Sequence, residues 1–132
     1  DTIDCVVTGV AFGSGKRRNM LCDYTFAARD DLSGRFAAIG RATAELPEAE
    51  VAELSRWFEA HTIAELDRYR SVEPRVVVEV SFDEIRRSEG AASGFVLRGA
   101  RIVRSRRDLG PDQATTLAAV ELRCSAAQSK EG

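Results

Sequence analysis

Apolar, β-branched runs separated by turn-forming residues dominate the start of the chain. Ile3 to Phe12 reads as a strand rich in Val, and Met20 to Arg29, with Tyr24, Thr25 and Phe26, reads as a second. Between them, Gly13-Ser14-Gly15-Lys16-Arg17-Arg18-Asn19 is a turn-rich basic loop. A third strand is expected over Arg35 to Arg41, after the turn at Asp30-Asp31-Leu32-Ser33-Gly34. The period then changes. Pro47 stands where a helix start leaves its missing N–H without consequence, Glu48 and Glu50 suit the first turn, and Val51, Leu54 and Phe58 repeat at helical spacing. A short second helical turn is expected over Ala64 to Tyr69.

Pro74 closes that region, and Arg75 to Ile85 reads as a strand centred on Val76-Val77-Val78-Glu79-Val80. Ser88 to Gly94 is a loop, Phe95 to Arg104 a further strand, and Gly110-Pro111 a break. Thr115 to Cys124 is expected as a terminal helix presenting Leu117, Val120 and Cys124, with a flexible tail over 126–132. Three strands, a helix and two strands give an all-β class with helices. The order fits an OB-fold: a five-stranded Greek-key barrel with a helix between strands 3 and 4, here followed by a C-terminal helix. One domain over 1–132 is expected, with barrel and terminal helix ending near residue 125.

Length agrees, since 132 residues suit a single core that needs neither metal nor disulfide to fold. Nineteen basic against twenty-one acidic residues give a net charge of -2, which excludes a uniformly basic coat but not a local basic patch. No apolar stretch approaches the ~20 residues of a membrane span, so no membrane partner is expected. The chain opens on Asp1 without a charged-then-apolar leader, as expected of an excised or processed piece. Cys5, Cys22 and Cys124 have no CxxC spacing and His61 is the only histidine, so neither a zinc site nor a Ser-His-Asp or Cys-His site is expected. Cys5 and Cys22, in apolar runs, read as small buried hydrophobes in a reducing compartment, and His61 as structural or solvent-facing. Trp57 and Phe58 read as core-packing residues, and Glu79 as an acid facing solvent or an Arg.

Two clusters are candidates for chemistry. Gly13-Ser14-Gly15-Lys16 is not a P-loop: the first glycine would fall at Val10, and Arg17 stands where a hydroxyl residue is needed. The loop is either a solvated hairpin connection or a phosphate contact made by Lys16, Arg17 and Arg18. Arg98, Arg101, Arg104, Arg106 and Arg107 place five Arg in ten residues with no acid among them. Guanidinium groups bind phosphate through paired planar hydrogen bonds, while the alternative is an edge strand charged against aggregation. Strand alternation gives Arg98, Arg104 and Arg106 one parity and Arg101 and Arg107 the other, so they share a face only if a bulge intervenes.

Arg98-Gly99-Ala100-Arg101-Ile102-Val103-Arg104-Ser105-Arg106-Arg107-Asp108-Leu109 resembles the last motif of ATP-dependent DNA ligases: Arg-Phe-Pro-Arg, two apolar residues, Arg, one residue, Arg, one residue, Asp-Lys. Pro111-Asp112-Gln113-Ala114-Thr115-Thr116 resembles the Pro-Glu-Gln-Ala-Thr-Thr that follows it, and Gly13-Ser14-Gly15-Lys16-Arg17 resembles the family's Gly-x-Gly-Lys-Arg loop. Asp1 to Val10 resembles the segment opening the family's C-terminal OB domain, and Val78-Glu79-Val80-Ser81-Phe82 with Ser93-Gly94 fits its later strands. The resemblance runs in order through nearly the whole chain. Leu109 stands where the pattern has Lys, and Gly99-Ala100 where it has Phe-Pro.

The resemblance implies a domain that closes on a nucleotidyltransferase domain, of the same or another chain, during lysine adenylylation by ATP and Mg2+. It then helps clamp nicked duplex DNA for sealing. Arg98, Arg101, Arg104, Arg106 and Asp108 would orient the nucleotide and its pyrophosphate, and Lys16, Arg17 and Arg18 would approach DNA. No catalytic residue is expected in this chain: Lys16 and Lys130 are its only lysines and neither begins Lys-x-Asp-Gly, so the nucleophile belongs upstream or elsewhere. The isolated domain is expected to be inactive and monomeric, to bind no metal or cofactor alone, and to reside in the cytoplasm at the bacterial nucleoid. The alternative is a stand-alone, non-catalytic OB module binding nucleic acid or protein.

Overall fold

A computed structural model describes residues 1–131. Strands β1 (Thr2–Phe12), β2 (Leu21–Arg29) and β3 (Phe36–Thr43) lead into helix α1 (Glu48–Ala60). β4 (Thr62–Leu66), β5 (Tyr69–Val72), β6 (Val77–Ser81), β7 (Glu84–Arg87), β8 (Phe95–Arg98) and β9 (Arg101–Ser105) follow, then α2 (Leu117–Glu131). The five strands expected from the sequence are β1, β2, β3, β6 and β9, joined antiparallel along the path β3-β2-β1-β6-β9. This is the OB arrangement, with α1 in the expected place. One parallel bridge, Ala44 to Ile102, links the end of β3 to β9, so the sheet curls toward closure without a full closing ladder.

β1 organises the sheet because it is buried on both faces. Ile3, Cys5, Val7 and Val10 enter the main core, and the bulge between Val7 and Gly9 lets residues of opposite parity face the same way. Val6 points to the other side, where Val77, Ala114, Phe36 and Leu109 cover it. One edge of β1 serves two neighbours, β6 along Thr2–Val6 and β5 along Gly9–Ala11. α1 places Val51, Leu54 and Phe58 in the main core, with Phe58 edge-on to Tyr24 at 5.3 Å. Its buried Ser55 accepts the amide of Leu21 through Oγ at 3.0 Å, pinning the helix to the start of β2.

Four local expectations are corrected. The turn expected to be helical over Ala64 to Tyr69 is the β4–β5 hairpin, with Leu66 opposite Tyr69 and Asp67 at φ 57°. Ala, Glu and Leu favour helix, but the free edge of β1 supplies a ladder that overrides this weak preference. The strand expected over Arg75 to Ile85 ends at Ser81, and the one expected over Phe95 to Arg104 breaks at Gly99, whose φ is 68°. The intervening chain forms a separate β7–β8 hairpin. The terminal helix starts at Leu117 and runs through Glu131, overlapping the expected tail; Gly132 lies outside the described residues. Cys5, Cys22 and Cys124 are buried and free, and burial pushes the thiols of Cys5 and Cys22 up.

Candidate functional site

The arginine cluster around the last strand, from the end of β8 to beyond β9, holds its side chains in two conditions. Arg98 ends β8 and Arg101 begins β9, on either side of the Gly99-Ala100 break; both are exposed and have no ion pair among the described residues. Gly99 is required by contact as well as by its positive φ, since a Cβ there would lie 2.1 Å from Oδ2 of Asp83. Ile102 pairs with Val80 and Arg104 with Glu79, leaving Val103 as an extra residue on β9. That bulge brings Arg101 and Arg104 out to solvent despite their opposite parity, while Ile102 is fully buried. Arg104 meets Glu79 at 3.0 Å, as expected of an acid within a Val run.

Beyond β9 the chain becomes a strap over the outer face of β1 and β6. Arg106 donates through Nε and Nη2 to the two oxygens of Asp108 at 3.1 and 3.0 Å, and through Nη1 to Asp4 at 3.2 Å. The guanidinium holds the Asp108 carboxyl below its usual range, chiefly through those hydrogen bonds, and Asp108 in turn raises Arg106. Leu109 is half-buried against Val6, Val77 and Ala114, so at this position the chain gains an apolar anchor where the ligase pattern has a charge.

The segment after the break has structural tasks of its own. Gln113 accepts the amide of Gly110 at 2.9 Å, Thr115 accepts that of Asp4 at 3.1 Å, and Thr116 accepts that of Ala119 at 3.1 Å as the cap of α2. Between strap and α1 lies a groove of about 640 Å³. Arg107 spans it to Glu53 at 3.1 Å, lowering the carboxyl of Glu53. On its wall His61 stacks on Trp57 with ring centroids 3.9 Å apart, which gives the histidine a structural position.

The basic loop is built differently. Gly13 passes so close to Cys22 that a Cβ would lie 2.5 Å from Sγ, and Gly15 has φ 59°, opening the 3-10 turn over Gly15–Arg17. Both glycines of the Gly-x-Gly motif are thus demanded by geometry. Arg17, expected with its neighbours to approach phosphate, is half-buried and donates to the carbonyl of Ala44 at 3.0 Å. Lys16 and Arg18 are exposed, without ion pairs among the described residues.

Two further arginines join them that sequence reasoning missed. The guanidinium groups of Arg68 and Arg70, from the β4–β5 hairpin, lie 5.3 and 5.5 Å from the centre of the Phe12 ring at the end of β1. Sequence spacing offered no signal for this meeting, which depends on β5 pairing with β1. Among the described residues no group of three His, Cys, Asp or Glu could hold a metal ion.

Residues 17–109 match the family of the C-terminal region of ATP dependent DNA ligases, a match running from the basic loop to the end of the strap. The chain belongs to that family. It is 44% identical over 119 residues to a probable DNA ligase of Koribacter versatilis, covering 90% of this chain and 20% of that protein. To a probable DNA ligase of Opitutus terrae it is 44% identical over 129 residues, covering 97% of this chain and 13% of the relative. A DNA ligase of Methanococcoides burtonii is 36% identical over 121 residues, 92% of this chain and 21% of that protein. The chain therefore spans about a fifth or less of these relatives' length. The ligase domain of LigD from M. tuberculosis shares its fold, with TM-score 0.68 and 21% identity over 87% of this chain and 38% of that one. A mycobacterial DNA ligase D complexed with ATP and MES is similar, with TM-score 0.64 and 20% identity over 88% of this chain and 38% of the other.

Proposed function

We propose that this domain completes an ATP-dependent DNA ligase by acting on two phosphate ligands from two surfaces. Arg98 and Arg101, exposed beside the Gly99 break, orient the phosphates of ATP when the domain closes on a nucleotidyltransferase domain. Arg104 joins them from β9, turned by its ion pair with Glu79, while Asp108 acts by holding the fork of Arg106 in place. Free guanidinium forks on a transferring phosphoryl group stabilise the charge it develops, which is the main protein contribution in such chemistry. Lys16 and Arg18 meet the backbone of nicked duplex DNA in the sealing step, and Arg17 fixes the loop that presents them. Any Mg2+ would enter with ATP on the partner domain; among the described residues no group of three His, Cys, Asp or Glu could hold it.

The observation that carries this reading is that both basic regions lie within or at the border of the matched span, residues 17–109. The test uses the ligase chain that contains this domain. With ATP alone it should form a covalent AMP adduct, and with nicked duplex it should seal the nick. Trimming the equivalent of residues 1–132 should abolish adduct formation, and undiminished adduct formation by the trimmed protein would overturn the proposal.

A further inference from the structure

The β4–β5 hairpin reaches the basic loop through one side chain. Nη2 of Arg68 donates to the carbonyls of Gly13 and Arg18, each at 3.2 Å, and these two carbonyls flank the 3-10 turn of the loop. The carbonyl of Arg68 accepts the amide of Phe12 at 3.3 Å, so the hairpin is tied to the end of β1 as well. Its neighbours fix it in place. The Tyr69 hydroxyl fills the space beside Gly9, 1.9 Å from where a Cβ would stand, and Arg70 lies near Phe12 with Glu65 at 3.5 Å. Arg17 fastens the same loop to Ala44 from within. Held at both ends, the turn leaves Lys16 and Arg18 exposed.

We propose that Arg68 is the positioning residue of the DNA grip, clasping the two ends of the loop so that Lys16 and Arg18 engage one phosphate backbone together. This rests on the DNA reading of the loop given above. The guanidinium is suited to the task because its several donors sit in a fixed plane, whereas a lysine ammonium is a point charge on a flexible stem. Arg68→Lys therefore keeps the charge and loses the clasp.

The experiment measures affinity of the domain-containing ligase for nicked duplex against salt, in wild type, Arg68→Lys, Lys16→Ala/Arg18→Ala, and the three changes combined. Each phosphate contact contributes roughly 0.9 to the slope of log affinity on log salt. Positioning predicts that Arg68→Lys alone lowers the slope by about 1.8, nearly as much as the double alanine, with no further loss in the combination. An unchanged slope in Arg68→Lys would show that Arg68 contributes charge only and overturn the inference. Hydrogen exchange without DNA supplies a second readout: the amides of Arg17, Arg18 and Met20, bonded within the turn, should exchange faster in Arg68→Lys. Unaltered exchange would also overturn the clasp, even with the loop's DNA contacts intact. Equal slopes in wild type and Lys16→Ala/Arg18→Ala would instead remove the DNA reading itself.

Discussion

The strap region and the basic loop are both rich in cations, yet they treat them in opposite ways. From Arg104 at the end of the last strand onward, each arginine of the cluster has a carboxylate: Glu79 for Arg104, Asp4 and Asp108 for Arg106, and Glu53 for Arg107. At the loop, arginines are held by backbone carbonyls instead, Arg17 by Ala44 and the hairpin's Arg68 by Gly13 and Arg18. A carboxylate orients a guanidinium and cancels its charge, whereas a carbonyl orients it and leaves the charge to act outward. Cations in sequence therefore overstate the field of the strap. In the last-strand cluster only Arg98 and Arg101 keep their charge without an acidic partner among the described residues. A chain of net charge -2 can thus present a basic loop to a polyanion while confining most of its other arginines to internal pairs.

The largest expected effect breaks the comparison at the last strand. Ile102 is fully buried and anchors β9 between Val80 and the bridge to Ala44. Ile102→Ala should destabilise the domain by about 2–5 kcal/mol in urea unfolding. Lys16→Ala and Arg18→Ala, at exposed positions, should stay within about 0.5 kcal/mol of wild type. A comparable loss from the loop substitutions would show that the loop is part of the stabilising framework.

A smaller effect comes from strain at the loop. Gly15 has φ 59° and open space around it, so Gly15→Ala meets no clash but forces alanine into the left-handed region. The expected loss is about 1 kcal/mol, together with weaker DNA binding, measured by unfolding and by titration with duplex. Full retention of both would mean that the turn can reshape without consequence.

Acid should separate the regions by protonation. Asp108 and Glu53 have carboxyls lowered by Arg106 and Arg107, so their contribution is present above the ordinary carboxylate values, 3.8 and 4.5, and is lost as pH falls below them. The amide of Leu109, bonded to the carbonyl of Arg106 at 3.2 Å, should report loosening of the strap by NMR below about pH 4. The amides of Arg17 and Arg18 should show no matching transition, since the loop is held by carbonyls. A common transition in both places would mean global acid unfolding instead.

How much of this was legible in the sequence follows from where the restraints lie. The strands β1, β2, β3, β6 and β9 were readable because Val-rich and aromatic runs are bounded by turn residues, and α1 because Pro47 and the Val51, Leu54, Phe58 spacing mark its start and inner face. The β4–β5 hairpin was not, because Ala64-Glu65-Leu66 favours helix and only the free edge of β1 makes it a strand. The arginine clusters were visible as charge, but their use was not. Asp4, Glu53 and Glu79 come from distant positions to neutralise the last strand, and Ala44 turns Arg17 inward from 27 residues away. Leu109 was visible as a departure from the ligase pattern, and its contact with Val6 and Val77 supplies the physical reason.

The smallest expected effect sharpens the comparison at a single charge. Lys16→Ala should lower the salt slope of duplex binding by roughly 0.9, and Arg104→Ala, whose charge Glu79 already opposes, by less. Equal changes would place the last strand on DNA as well.

The division between ATP and DNA is tested most directly by crossing two variants with two reactions in the ligase that carries this domain. One variant is Arg98→Ala/Arg101→Ala and the other Lys16→Ala/Arg18→Ala. The reactions are self-adenylylation with ATP and the sealing of nicked duplex already bearing a 5′-adenylate. The first variant should slow adenylylation at least tenfold more than sealing, a difference of about 1.4 kcal/mol in barrier, and the second should show the reverse order. Equal losses in both reactions for either variant would contradict the account.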